Sequence, residues 1–344
     1  MSKYVLSSKT LAELENIVTE MGEPKFRAKQ LFSWIYSKFA SDFDAMTDIS
    51  KAFRENLKQN AIITDIKIKQ RQISADKTIK YLLEYTDGNV AECVLMRFDN
   101  RPNLTACVSS QIGCPVGCVF CATGKTGFVR NLTSREIVEQ IMIMQRDTGL
   151  RISNVVFMGQ GEPLLNIDNV LEAINIINDT VGISIRRMTV STSGIIPGLK
   201  RLKDIDFQAT VALSLHAPNH EIREKIMPIE KKYRIEDVID ALKDLVNTTG
   251  RRATIEYTII KGVNDSLSQA KEVLQLLKGL HCNINIIPYN NACNSEFEKP
   301  SEEHINKFKF ILERSKYKVT VRLERGADID AACGQLSGKM ETNV

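Results

Sequence analysis

Residues 114–121 read Cys114-Pro-Val-Gly-Cys118-Val-Phe-Cys121, three thiols at C-x3-C-x2-C spacing inside eight residues. Thiolates bind iron or zinc, and an iron–sulfur cube ordinarily takes four of them. Three ligands would leave one iron open to the amino and carboxylate groups of a small molecule. Zinc competes, but it prefers closed tetrahedral ligation from two separated pairs, and no fourth Cys or His stands nearby at finger spacing. A disulfide is the weakest reading, because three crowded cysteines leave one over and the N-terminus carries no apolar secretory region.

Outward from this stretch, strand and helix patterns alternate after residue 104, the signature of parallel βα units. Strands are expected at 105–110, 152–158, 188–191, 208–215, 254–260 and 283–288. Helices are expected from Thr133, near 168–178, 235–248, 267–279 and 302–315. Six repeats predict an α/β fold with an incomplete (βα)6 barrel, whose chemistry sits at the C-terminal ends of the strands. Cys114–Cys121, Gly161-Glu162, Ser193, Ser214–His216 and Asn290 all fall at or just past such ends.

Upstream the texture differs. Thr10 and Glu13 form a capping box, followed by Leu11, Leu14, Ile17, Val18 and Met21 at helical spacing up to Gly22. A second helix is expected over 27–39 with Leu31, Trp34, Ile35 and Phe39 on one side, and a third from Ser50 with Phe53 and Leu57 inward. Residues 66–72, 78–85 and 90–96 alternate as strands, the last two joined by the hairpin signal Asp87-Gly88. The expected organisation is a helical accessory domain (1–60), an antiparallel β linker (61–98), a barrel core (99–336) and a tail (337–344).

At 344 residues and 43% hydrophobic content the chain can bury a full core. No apolar run is long enough to span a bilayer, so a soluble, cytoplasmic protein is expected, its eight cysteines in a reducing compartment. A net charge of +4 permits a nucleic-acid partner without demanding one. Basic residues gather at Lys25, Arg27 and Lys29, at Arg186 and Arg187, at Lys231, Lys232 and Arg234, and at Arg251 and Arg252. Two nucleotide-binding patterns fail: Val119 stands where a phosphate loop before Gly124-Lys125-Thr126 needs glycine, and Leu164 where a dinucleotide fingerprint starting at Gly159 does.

The cysteine spacing, with Phe120 before the last Cys, resembles that of the radical S-adenosylmethionine (SAM) superfamily. Cys107-Val-Ser-Ser-Gln111, Cys121-Ala-Thr-Gly124, Gly161-Glu162-Pro163-Leu-Leu-Asn166, Ser214-Leu215-His216-Ala217 and Asp328-Ile-Asp-Ala-Ala-Cys333-Gly-Gln-Leu336 together resemble the RlmN/Cfr family of RNA adenosine methyltransferases. The resemblance implies one 4Fe-4S cluster held by Cys114, Cys118 and Cys121. It implies SAM bound by Gly161, Glu162, Ser193, Ser214, Leu215, His216 and Asn290, and a general base at Glu92. One SAM would methylate Cys333, and a second would be split to a 5′-deoxyadenosyl radical that takes hydrogen from that methyl. The resulting carbon radical would add to adenine, Glu92 would remove the ring proton, and Cys107 would attack Cys333 to release the product as a disulfide forms. The implied substrates are adenosine 2503 of 23S rRNA and adenosine 37 of tRNAs, methylated at C2. The implied reductant is one such as flavodoxin, and a monomer is expected.

Gly-Glu-Pro-Leu-Leu-Asn and Arg325-Gly326 resemble the C2 type. The alternative is Cfr-like methylation at C8, which confers antibiotic resistance. Gln160 departs from both types, which usually carry Met between those glycines. From other classes, a zinc-stabilised RNA-binding module and a radical enzyme acting on a small molecule stay open. Cys93, Cys282 and Cys293 read as inert thiols.

Overall fold

In the computed structural model, which describes residues 3–98, 101–290 and 296–338, a helical N-terminal unit precedes one long sheet. Cys293, residues 99–100 at the expected start of the core, and 339–344 of the expected tail lie outside the described residues. Strand β1 (Tyr4–Val5) leads into α1 (Leu11–Glu20), α2 (Phe26–Tyr36) and α3 (Lys51–Asn60). Then β2 (Ala61–Ile62) pairs in parallel with β1. Thr10 forms both halves of its capping box: Glu13 N–H donates to Thr10 Oγ1 at 3.3 Å and Thr10 N–H to Glu13 Oε2 at 2.8 Å. Leu14, Ile17, Val18, Leu31, Ile35, Phe53 and Leu57 meet in the core. Trp34 packs at its edge; its indole N–H donates to Asp48 Oδ1 and Lys38 Nζ lies 3.5 Å from its ring centroid.

Strands β3 (Lys67–Ile73), β4 (Ile79–Glu84) and β5 (Val90–Phe98) are antiparallel, with Gly88 at φ +79° in the expected turn. They do not end there. Strand β6 (Arg101–Cys107) pairs antiparallel with β5 and starts the parallel series. After it come the hairpin of β7 (Gln111–Gly113) and β8 (Phe128–Asn131), separated by α4 (Ala122–Thr126), then α5 (Ser134–Thr148), β9 (Ile152–Phe157), α6 (Ile167–Ile176) and β10 (Met188–Thr192). The chain continues through α7 (Ile196–Asp204), β11 (Thr210–Ser214), α8 (His220–Ile226), α9 (Ile235–Thr249), β12 (Ala253–Ile259), α10 (Leu267–Leu276), β13 (Cys282–Pro288), α11 (Glu302–Glu313) and β14 (Lys318–Val321).

The ten-stranded sheet runs β14-β13-β12-β11-β10-β9-β6-β5-β4-β3, parallel from β14 to β6 and antiparallel beyond. The partial barrel therefore has the six expected strands and a seventh, β14. The antiparallel strands are hydrogen-bonded onto its edge. Strand β6 stops short of the expected Ser110 because both backbone groups of Ser109 are taken by the buried Gln140 amide, at 2.8 and 2.9 Å. Leu213, Ile255, Tyr257, Ile284 and Ile286 are fully buried under the helices, each stabilising the fold by roughly 1.5–3 kcal/mol.

Candidate active site

The cysteine loop hangs between β7 and α4, at the C-terminal rim of the parallel strands. Cys114 N–H donates to Gly127 O at 2.9 Å and Val119 N–H to Ile226 O at 3.0 Å, so the loop is held by its own hairpin and by α8. A cavity of about 160 Å³ takes Cys114, Cys118 and Cys121 into its wall, facing Gly161, Glu162, Ser193, Ser214, His216 and Asn290. All the expected SAM ligands except Leu215 thus share a wall with the three thiols.

Each of these is fixed by neighbours. Glu162 is buried; its N–H donates to Gln111 Oε1 at 2.8 Å, and its carboxylate accepts from Leu164 N–H at 3.0 Å and Ser193 N–H at 2.7 Å. Burial pushes its pKa up, and the two backbone donors act against that shift. Gly161 sits at φ +98°, and a Cβ there would stand 2.5 Å from Gln111 Cβ, so the glycine is required by Gln111. His216 adopts φ +55°, accepts Thr258 N–H at Nδ1 (2.9 Å) and meets Phe120 edge-on at 5.0 Å. Burial, joined by the Arg223 charge, holds its pKa down to about 3, so the ring is a neutral acceptor. The Leu215 side chain belongs to the core and does not line the cavity; its N–H donates to Glu256 O at 3.0 Å.

A second cavity of about 610 Å³ adjoins the first, within the size range of small-ligand pockets. Its lining includes Cys107, Val94, Met96 and Arg325. Cys333, Asn290, Arg322 and Met158 line both cavities. The Cys333 segment is seated on the cysteine loop: Ala122 N–H donates to Gly334 O at 2.7 Å, Thr123 Oγ1–H to Leu336 O at 2.6 Å, and Asn290 Nδ2–H to Cys333 O at 3.4 Å. Cys333 is exposed whereas Cys107 is buried, and burial pushes the Cys107 thiol up to about 12. The Arg322 guanidinium acts in the opposite direction on Cys107 and lies 3.7 Å from Glu256.

Glu92 lies on the same face of β5 as Val94, which pairs with Cys107 in register. It lines neither cavity. Its carboxylate is fully buried, accepts Gly338 N–H at 2.7 Å and stands 3.4 Å from Lys80 Nζ. Burial raises its pKa against those two partners. Gln160 ties the backbone in: Glu92 N–H donates to Gln160 Oε1 at 3.0 Å and Ser109 Oγ–H to Glu92 O at 2.5 Å. Lys80, Arg223 and Arg322 are not singled out by sequence reasoning, since nothing local distinguishes them from surface or core polar residues, whereas Gln111 and Gln160 stand in quoted motifs without a role assigned to them.

The residues fit a cluster with an open iron and SAM beside it. The three thiols are unpaired with one another, and the Asn290 Oδ1 oxygen, which belongs to the cavity wall, has no hydrogen-bond partner among the described residues. No described helix is long and apolar enough to cross a membrane.

A family model described as the radical SAM superfamily matches residues 108–277, and one described as the ribosomal RNA large subunit methyltransferase N-terminal domain matches residues 6–63. A protein of Alkaliphilus oremlandii named a probable dual-specificity RNA methyltransferase RlmN is 48% identical over 342 residues, covering 98% of this chain and 99% of its own. This chain belongs to the RlmN family of the radical SAM superfamily. A relative of the same name from Clostridioides difficile is 44% identical and covers 98% of both chains. The crystal structure of a radical SAM methyltransferase from Sphaerobacter thermophilus is similar at TM-score 0.91 and 42% identity, over 98% of this chain and all of the other.

Proposed function

We propose that this chain is a dual-specificity RNA methyltransferase that adds a methyl group to C2 of adenosine 2503 in 23S rRNA and of adenosine 37 in tRNAs, with Cys333 as the methyl carrier. One observation carries the reading: Cys333 lines both the cavity of the cluster cysteines and the larger cavity of Cys107. A thiol at that junction can take a methyl on one side and deliver carbon on the other. The names of the relatives support RNA as substrate and the dual specificity.

C2 of adenine is not a nucleophile, so a methyl cannot reach it by displacement from a sulfonium. Cys114, Cys118 and Cys121 would hold the cluster, which with SAM would supply the radical chemistry this carbon needs. Gly161 and Glu162 would hold the amino group of SAM, and Ser193, Ser214, His216 and Asn290 the remainder, with Leu215 reached only through its backbone. Cys333 then carries the carbon that bonds to adenine. Glu92 takes the ring proton as general base, which requires the segment after Leu336 to release it from Gly338. The Cys107 thiolate attacks the Cys333 sulfur, the carbon–sulfur bond breaks with its electron pair passing to the methylene carbon, which takes a proton to become the methyl group, and an external reductant reopens the disulfide that forms. The adenosine leaves its stack to enter the larger cavity, and the grouped basic residues offset that cost through phosphate contacts. The same reading assigns the chain to the cytoplasm as a monomer served by a reductant such as flavodoxin.

C8 methylation is the competing outcome. Arg325, of the Arg325-Gly326 pair typical of the C2 type, lines the larger cavity, and Gly326 is left-handed at φ +64°. Mass spectrometry of 23S rRNA and tRNA from a deletion strain, with and without the gene restored, tests the proposal. The expected result is 2-methyladenosine in both RNAs; 8-methyladenosine, or no methyladenosine, overturns it. Four irons with sulfide per chain are expected on anaerobic reconstitution, and one zinc would favour a non-catalytic module.

A further inference from the structure

Arg223 is fully buried on α8 and reaches three backbone carbonyls at two strand ends. Its Nη2–H donates to Ser193 O at 2.6 Å and to Ser214 O at 3.2 Å, and its Nε–H to Leu215 O at 3.0 Å. These carbonyls stand just past β10 and at the end of β11, where the ladder no longer supplies donors, and a buried carbonyl without one destabilises the fold. The fourth arm donates from Nη1 to Glu230 Oε2 at 2.5 Å. Glu230, also fully buried, is fixed in turn through Oε1 by Ile235 N–H at 2.9 Å and by His220 Nδ1 at 3.1 Å.

The tethered positions belong to the site. Ser193 and Ser214 line the smaller cavity, and Ser193 N–H donates to Glu162, so the bonding continues from Arg223 through Ser193 to the carboxylate expected to meet SAM. Helix α8 also holds the cysteine loop through Ile226 O. We propose that Arg223, anchored by Glu230, is a positioning residue of the SAM cradle: one planar guanidinium sets the spacing of the β10 and β11 ends on which Ser193, Ser214 and Leu215 stand. Only a fork with several donors in one plane can do this; an ammonium keeps the charge but cannot span the three carbonyls and Glu230.

The inference rests on SAM as the ligand of that cavity, and the wild-type protein tests that premise separately: reconstituted wild type that does not bind SAM by calorimetry refutes the premise, whatever Arg223 does. The test compares Arg223→Lys, Glu230→Gln and Arg146→Lys. Arg146 is a control that likewise pairs with a fully buried glutamate, because its pair with Glu139 at 2.9 Å lies on α5, away from the cradle. Iron content, melting temperature, SAM affinity, RNA affinity and the KM and kcat for SAM are measured on each. Arg223→Lys should weaken SAM binding at least tenfold and raise KM more than it lowers kcat, with iron content and RNA affinity kept. Glu230→Gln should weaken SAM binding several-fold, which keeps the proposal testable if Arg223→Lys does not fold. Arg146→Lys should lower the melting temperature and leave SAM affinity alone. SAM affinity within twofold of wild type in either Arg223→Lys or Glu230→Gln overturns the proposal, as does an equal loss of SAM affinity in Arg146→Lys.

Discussion

The backbone N–H of Gly338 donates to Glu92 Oε2 at 2.7 Å, so the segment that follows Cys333 closes over the proposed base. The proposed carrier thiol and the cover of the proposed base are five residues apart on one piece of chain (338 minus 333).

The first prediction concerns pH. Burial raises Glu92 above its ordinary 4.5, with Gly338 N–H and Lys80 opposing. Only the carboxylate can take a proton, so turnover should fall as pH drops through that raised value. The acid limb of kcat should therefore lie above 4.5. A limb at or below the ordinary value would mean that another group is the base.

A second prediction concerns the release step. Cys107→Ala should accumulate protein covalently joined to RNA through Cys333, visible as nucleotide mass after denaturing isolation and ribonuclease trimming. Arg322→Met removes the cation that helps to hold the Cys107 thiol down, so its thiolate fraction falls and release should slow, by about tenfold if the thiol's pKa rises by about one. A Cys107→Ala protein that purifies free of RNA and methylates at the normal rate would end the two-cysteine scheme.

Gln160→Met installs the residue that RlmN-like proteins usually carry between these glycines. It also removes the acceptor of the buried Glu92 N–H. Urea unfolding should show a loss of about 1–3 kcal/mol. No change in stability would mean that the bond contributes nothing.

His216 yields a pH-dependent stability. Its pKa is about 3 in the folded chain against an ordinary 6.5, so between those values the unfolded chain binds the extra proton. This contribution to stability is complete above 6.5 and declines as pH falls towards 3. At about pH 5.5, one unit below the ordinary value, wild type should have lost about 1.4 kcal/mol that His216→Asn does not lose. Parallel pH profiles for the two proteins would contradict the buried neutral ring.

The cysteine triplet, the capping box at Thr10 and the six βα strands were legible in the chain because their signals are local: fixed spacings, apolar periods and turn residues. Strand β14 was not, since the four residues Lys318–Val321 carry too short a pattern to separate from a loop. Nor was the joining of the antiparallel strands to the barrel, which depends on Val94 finding Cys107 across β5 and β6. Thiol spacing in the sequence pointed to iron, and the resemblance of its motifs to a known family implied SAM and roles for the two outlying thiols. Only the tertiary structure decided that Cys333 lies where two cavities meet, that Gly338 covers Glu92, and that one arginine holds the ends of β10 and β11 together. Those relations are made by backbone carbonyls and amides whose positions no side-chain pattern encodes, and they exist only once distant segments have packed.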